Sequence, residues 1–196
     1  MIRPKVVIIG GGFGGLNAAK GLKKANVDVL LIDRYNHHLF QPLLYQVASA
    51  ALSPGNIAQP LRELLRKKKN VDVVMGNVSA IDKEKRELLL SHGDCIPYDY
   101  LIVAPGARQS YFGNDEWETH APGLKSISDA TGIREKVLPA FEKAERIDDK
   151  DVIAKYLRFV VVGGGLQVWK CRRTLRCKNP SERIEAKGSS SFCLCR

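Results

Sequence analysis

The sequence predicts an α/β protein built on a doubly wound parallel sheet. Three observations carry that expectation: an unbroken apolar run at 6–9, a glycine-rich turn directly after it at 10–15, and a second apolar run at 29–32 that closes on Asp33. Apolar runs without polar alternation suit strands buried on both faces, as in a parallel sheet. Between them, 16–24 reads as a helix, with Leu16, Ala19 and Leu22 on one face and Lys20, Lys23 and Lys24 off it. The first 33 residues therefore make one βαβ unit.

Residues 35–59 are rich in Gln, Pro, Asn and His and show no period, so a long functional loop is expected there. Pro60 is well placed to open a basic amphipathic helix through Lys69. A strand is expected at 71–75, an antiparallel hairpin from 78–81 and 87–90, and a buried strand at 100–103 broken by Ala104-Pro105-Gly106. A helix over 129–146 follows despite Gly132 and Pro139, and 159–162 repeats the opening pattern into Gly163-Gly164-Gly165.

With 44% hydrophobic and 27% charged residues in 196, the chain can bury a core, which excludes general disorder, collagen and a disulfide-packed miniprotein. No apolar run reaches the length of a membrane span, and the N-terminus does not resemble a signal peptide, so an intracellular protein is expected. The net charge of +10 is uneven. Residues 166–196 hold eight basic and two acidic residues, which leaves 23 and 19 in the body, a net of +4. Cys95 alone lies in the body, while Cys171, Cys177, Cys193 and Cys195 lie in the tail. Two kinds of sequence meet near Gly165.

Gly10, Gly12 and Gly15 satisfy G-x-G-x-x-G in the required context of strand, helix and strand-end acid. The first glycine permits the turn, the second lets backbone approach a pyrophosphate, and the third allows close helix–strand packing. Asp33 can accept a hydrogen bond from a ribose hydroxyl. Dinucleotide binding is the reading, and the fingerprint alone does not separate NAD from FAD. A long loop after Asp33, the hairpin and the Ala-Pro-Gly break suit an extended FAD. A second strand-plus-glycine start at 159–165 suggests a further nucleotide domain, and two such folds in series imply hydride passing from a nicotinamide to a flavin.

The segment His38-Leu39-Phe40-Gln41-Pro42-Leu43-Leu44-Tyr45-Gln46-Val47-Ala48 with Leu52-Ser53-Pro54 resembles the stretch after the FAD fingerprint in type II NADH dehydrogenases. Tyr98-Asp99-Tyr100-Leu101-Ile102-Val103-Ala104-Pro105-Gly106-Ala107 resembles their second FAD motif, and 129–145 the helix before their NADH domain. The resemblance covers 5–165. It implies a Rossmann-like FAD-binding domain at 1–120, a connecting helix region at 121–157, and the first strand and turn of an NADH-binding domain at 158–165. The basic Cys-containing tail, 166–196, is expected to be disordered.

The resemblance also implies an FAD-dependent NADH:quinone oxidoreductase at the cytoplasmic face of the cell membrane, with NADH and a membrane quinone as substrates. Gly10, Gly12, Gly14, Gly15 and Asp33 would hold the ADP half of FAD, with Phe13 and Arg34 beside them. Backbone at Val78 would meet the adenine, Ala104 and Gly106 would lie along the cofactor, and Gln46 near the flavin. Gly163 and Gly165 would begin the NADH site. Flavin chemistry with quinone needs neither a redox-active cysteine pair nor a Ser-His-Asp constellation. No metal and no nucleic acid are expected, and a homodimer is left open. Pro105 stands where the family has Thr, so one local N–H is missing.

After Gly165 the family continues Pro-Thr-Gly-Val-Glu, whereas this chain reads Leu166-Gln167-Val168-Trp169-Lys170. Loss of one base from CCT-ACA-GGT-GTG-GAA-A yields codons for that second string, so a frameshifted tail and an impaired product are expected. A non-catalytic FAD- or nucleotide-binding fragment and a basic nucleic-acid-associating protein are the alternatives. The tail's cysteine spacing does not fit common structural zinc sites, and no aromatic platform accompanies its charge. In the body, His37 and His38 read as polar loop residues, 66–69 as a solvated helix end, and Cys95 as a partly exposed thiol in a turn.

Overall fold

The structure, a computed structural model, describes residues 3–162 and 192–195. Gly163, Gly165 and the tail residues 166–191 lie outside the described residues. In chain order the elements are β1 (Lys5–Ile9), α1 (Phe13–Gly21), β2 (Asp28–Asp33), β3 (His37–Leu39), α2 (Leu44–Ala48), β4 (Ala58–Pro60), α3 (Leu61–Leu65), β5 (Val71–Met75), β6 (Val78–Asp82), β7 (Glu87–Leu90), β8 (Cys95–Pro97), β9 (Tyr100–Val103), α4 (Ile127–Ala144), α5 (Lys150–Tyr156), β10 (Phe159–Val162) and β11 (Phe192–Cys195). They form two compact units, one of residues 1–39 and 58–107, the other of 40–57 and 108–196.

In the first unit, β5-β2-β1-β9 form a parallel sheet, with β1 pairing Lys5–Ile9 to Asp28–Ile32 on one side and Val6–Ile9 to Tyr100–Val103 on the other. Strand alternation sorts the side chains into two layers. Val6, Ile8, Val29 and Leu31 pack with Leu16 and Ala19 of α1 and Leu61 and Leu65 of α3. Val7 and Ile32, from the opposite face, pack with Leu88 and Leu90 of β7. Helices thus cover one face, and the antiparallel sheet β6-β7-β8 covers the other. Val7, Ile8, Leu31 and Leu61 are fully buried, each stabilising the fold by about 1.5–3 kcal/mol relative to exposure.

The expected βαβ unit, the strand at 71–75, the hairpin and the strand at 100–103 are all present. Several expectations differ in detail. The first helix begins at Phe13, inside the glycine run, and its end tightens into a 3₁₀ turn at Leu22–Lys24. The expected basic helix is only five residues, because the chain turns at Arg66 and Lys68 to enter β5. The carboxamide of Asn70 there donates to the carbonyls of Leu22 and Val27 (both 3.1 Å), tying the two helix ends together. Among the described residues β9 lies at the edge of the sheet, and Tyr100 and Val103 are more than half exposed rather than buried. Cys95, a free and exposed thiol, lies in β8 rather than in a turn.

The stretch 35–59 is not a bare loop. β3 and β4 pair antiparallel, His37 against Pro60 and Leu39 against Ala58. Phe40 N–H donates to the Ile57 carbonyl (2.8 Å), and α2 and two 3₁₀ turns fill the span between.

In the second unit, α2 packs on α4 through buried residues that include Leu44 and Val47. Ser126 and Asp129 cap α4 reciprocally: Asp129 N–H donates to Ser126 Oγ (3.1 Å), and the Asp129 carboxylate accepts from Ser126 N–H (2.9 Å). Phe159 of β10 is buried with its ring stacked on Phe141, centroids 5.8 Å apart. β10 pairs antiparallel with β11.

Tyr111, also buried, donates its hydroxyl to the Ala121 carbonyl (2.9 Å). Burial, and then the Glu118 carboxylate, push its phenol above the ordinary 10.0. A pKa raised by folding contributes stability that is complete below the ordinary value and is lost as pH climbs through the raised one. Tyr111→Phe is therefore expected to cost about 1 kcal/mol at neutral pH. It should also flatten the loss of stability above pH 10, which urea denaturation followed across alkaline pH measures directly.

Candidate functional site

Parallel α/β sheets place ligands at the carboxyl ends of their strands, and here four chain segments converge on that edge. β1 ends at Gly10, whose N–H donates to the Ile32 carbonyl (2.8 Å). β2 ends at Asp33, whose carbonyl accepts from Gly76 N–H at the end of β5 (2.8 Å). β9 ends beside β1, with Ala104 N–H donating to the Ile9 carbonyl (2.8 Å).

The glycines divide by what surrounds them. Gly10 has φ +102°, and a methyl group there would lie 2.1 Å from the Ala104 carbonyl oxygen, so both conformation and space demand glycine. A methyl at Gly15 would lie 1.7 Å from the Gly10 carbonyl oxygen and 3.2 Å from Ile8 Cγ2. Gly15 is thus the contact that lets α1 start against the end of β1. A methyl at Gly14 would make ordinary contact with the Ala104 side chain (3.4 Å). Gly12 is different: it is exposed, and nothing lies within 4 Å of where its side chain would be. The packing of the described residues therefore gives no reason for glycine at position 12, and its backbone is open to a group approaching from outside.

Gly12 is also the residue that caps α1, with no side-chain hydrogen bond at that end and no acidic residue in the first turn. Such a helix start offers N–H groups and the positive end of the helix dipole to an anion, as a phosphate requires. Asp33 lies next to it. One carboxylate oxygen accepts from Gly11 N–H, the other from Tyr35 N–H (2.7 Å), so the group is fixed in place and retains lone pairs for a further donor. The cradle, the uncapped helix and the fixed acid fit the pyrophosphate and ribose of a dinucleotide.

The other expected site residues fall in several places. Phe13, 43% exposed, begins α1 and meets the ring of His38 edge-on, centroids 5.0 Å apart. The exposed Arg34 places its guanidinium over Tyr35, 4.9 Å from the ring centroid. Val78 opens β6 two residues after Gly76 and packs on the core of Val7, Ile32, Leu88 and Leu90. Gly106 has φ +77° with open space around its α-carbon, directly after Pro105. Gln46 belongs to the second unit, where its amide donates to Tyr45 Oη (2.8 Å).

Sequence reasoning missed His38. It is not a polar loop residue: it lies in β3, is only 8% exposed, and bonds through Nδ1 to the Gly11 carbonyl (2.9 Å). The signal available was local and weak, two adjacent histidines of which strand alternation would turn one inward.

The family model for pyridine nucleotide-disulphide oxidoreductases matches residues 4–167. A type II NADH:quinone oxidoreductase of Mycobacterium tuberculosis is 58% identical over 166 residues, covering 83% of this chain and 36% of the relative. A second from the same organism is 55% identical over 166 residues, 83% of this chain and 35% of the relative. The structure of NDH2 from Plasmodium falciparum in complex with NADH aligns with TM-score 0.75 and 29% identity over 88% of this chain and 37% of that one. The chain spans about a third of the length of the curated relatives it matches.

Two substitutions separate packing from ligand approach. Gly15→Ala forces a methyl into backbone and is expected to cost about 3 kcal/mol or more. Gly12→Ala meets open space and is expected to cost about 1 kcal/mol or less. Urea denaturation of both variants reads the difference; equal costs would mean that position 12 is constrained by the fold itself.

Proposed function

The chain belongs to the pyridine nucleotide-disulphide oxidoreductase family, and from that premise we propose that it forms the FAD-binding part of an NADH:quinone oxidoreductase. The observation that carries the reading is the open space at Gly12 beside an uncapped helix start and a fixed strand-end carboxylate. The names of the Mycobacterium relatives support the reaction class. Bound FAD supplies a flavin that takes hydride from NADH and passes two electrons on to a quinone.

The roles of the chain's own residues follow from their positions. Gly12 leaves the backbone open to the pyrophosphate, and the start of α1, with the exposed Gly14 in its first turn, holds its charge with N–H donors. Asp33, oriented by two backbone donors, accepts from a ribose hydroxyl of the adenosine. Val78 opens the strand that follows Gly76 on the Asp33 side, which suits a backbone contact to adenine. Ala104 and Gly106 continue the same sheet edge from β9, where the positive φ of Gly106 turns the chain after Pro105. Phe13 and Arg34 flank the cradle at its rim, both with exposed surface.

Quinones of this kind are membrane-dissolved, so the reading includes peripheral work at the inner face of the cell membrane. Among the described residues no helix is long and apolar enough to cross a membrane. Homodimerisation is compatible with this role, and no nucleic acid takes part in it.

The test is spectroscopic. The purified chain is incubated with FAD, freed of excess and titrated anaerobically with NADH. Retained yellow colour is the expected result, with little bleaching by NADH from the impaired product that the tail sequence predicts; rapid bleaching that a soluble quinone reverses would contradict that impairment. Failure to retain FAD contradicts the assignment, and retained flavin that NADH leaves oxidised marks a nucleotide-binding module without turnover.

A further inference from the structure

We propose that His38 is a positioning residue that sets the orientation of the Gly11–Gly12 peptide and so aims the Gly12 N–H at the bound pyrophosphate; this rests on the nucleotide reading above. A carbonyl oxygen only accepts, so the 2.9 Å contact between His38 Nδ1 and the Gly11 carbonyl requires the proton on Nδ1. Every described peptide bond is trans. In a trans peptide the C=O and the N–H point in opposite directions. With the Gly11 carbonyl drawn to His38, the N–H of Gly12 therefore faces away from the imidazole.

The need for such a device is physical. Three consecutive glycines, Gly10-Gly11-Gly12, leave each peptide plane in the turn little steric guidance. Two side chains supply it. Asp33 takes the Gly11 N–H and fixes the plane before Gly11; His38 takes the Gly11 carbonyl and fixes the plane after it. His38 is itself held, because it is buried in β3 and its ring meets Phe13 edge-on. Without the imidazole donor the Gly11–Gly12 plane can turn, which would present a carbonyl rather than an N–H to the phosphate. The ordering cost then falls on binding.

Two variants separate this role from simple packing. His38→Phe keeps a ring against Phe13 and removes the donor. His38→Asn sacrifices the ring but keeps an N–H at the same number of bonds from the backbone. ADP is the probe, titrated into the full chain and followed by calorimetry. His38→Phe is expected to weaken ADP about tenfold, as loss of one buried donor predicts, and His38→Asn to stay within about threefold of wild type. A packing role gives the reverse order, and that order, or equal binding by all three, overturns the proposal.

Nitrogen-15 correlation spectra of the wild-type imidazole in mildly alkaline buffer give a second measurement that requires no variant to fold. Protonation of His38 at Nδ1 is expected; a proton at Nε2 overturns the proposal. If the wild-type chain takes up neither ADP nor FAD, the nucleotide reading falls and this proposal falls with it. If the wild type binds and the variants follow the packing order, only the role of His38 fails.

Discussion

A methyl group on Gly15 would stand 1.7 Å from the carbonyl oxygen of Gly10, and much of the first unit is arranged around the space that hydrogen leaves. Because nothing projects there, α1 can begin directly on the end of β1 and run back across the sheet with Leu16 and Ala19 buried against Val6 and Ile8. The same approach brings the glycine turn against β9, where Gly10 meets the Ala104 carbonyl with a positive φ. The strand ends, the helix start and the acid at Asp33 thus gather at one edge. The site is a consequence of packing that only a missing β-carbon permits.

From that constraint the two kinds of glycine gain different meanings. Gly10 and Gly15 answer to the fold, since atoms of the protein already occupy the space a side chain would need. Gly12 meets none of the described residues and leaves the backbone open to a ligand. The sheet's alternation serves the same end: helices on one face and the β6-β7-β8 sheet on the other bury β1 and β2 on both sides. With the strands buried, polar function is confined to their ends, where Asp33 takes the Gly11 N–H and His38 the Gly11 carbonyl.

The parallel strands were legible because β1, β2 and β9 each hold a run of apolar residues and only Asp72 interrupts β5, and the fingerprint because its spacing sits between two of them. The capping box at Ser126 and Asp129 carried a readable signal for the start of α4, which the expected helix over 129–146 placed two residues late. What failed to show was structure without a period. The elements within 35–59 are three to five residues long, held by the β3–β4 pairing and by backbone bonds such as Phe40 to Ile57, which no local pattern encodes. β9 looked buried because its residues are apolar, yet burial depends on sheet order, and among the described residues it lies at the edge. α5 carried a readable signal in Asp149, whose carboxylate accepts from the N–H groups of Asp151 and Val152. His38 was hidden for the opposite reason, since its partner is a backbone atom 27 residues away.

On the proposed function, the edge built around Gly10, Gly12, Gly15 and Asp33 receives the ADP half of a dinucleotide. Its most direct test is an amide chemical-shift map of the isotope-labelled chain titrated with ADP. The largest shifts are expected on Gly12, Phe13 and Gly14 and on Gly11 and Tyr35, whose N–H groups hold the Asp33 carboxylate. Saturable ADP shifts centred elsewhere on the chain, with these amides unmoved, would contradict it.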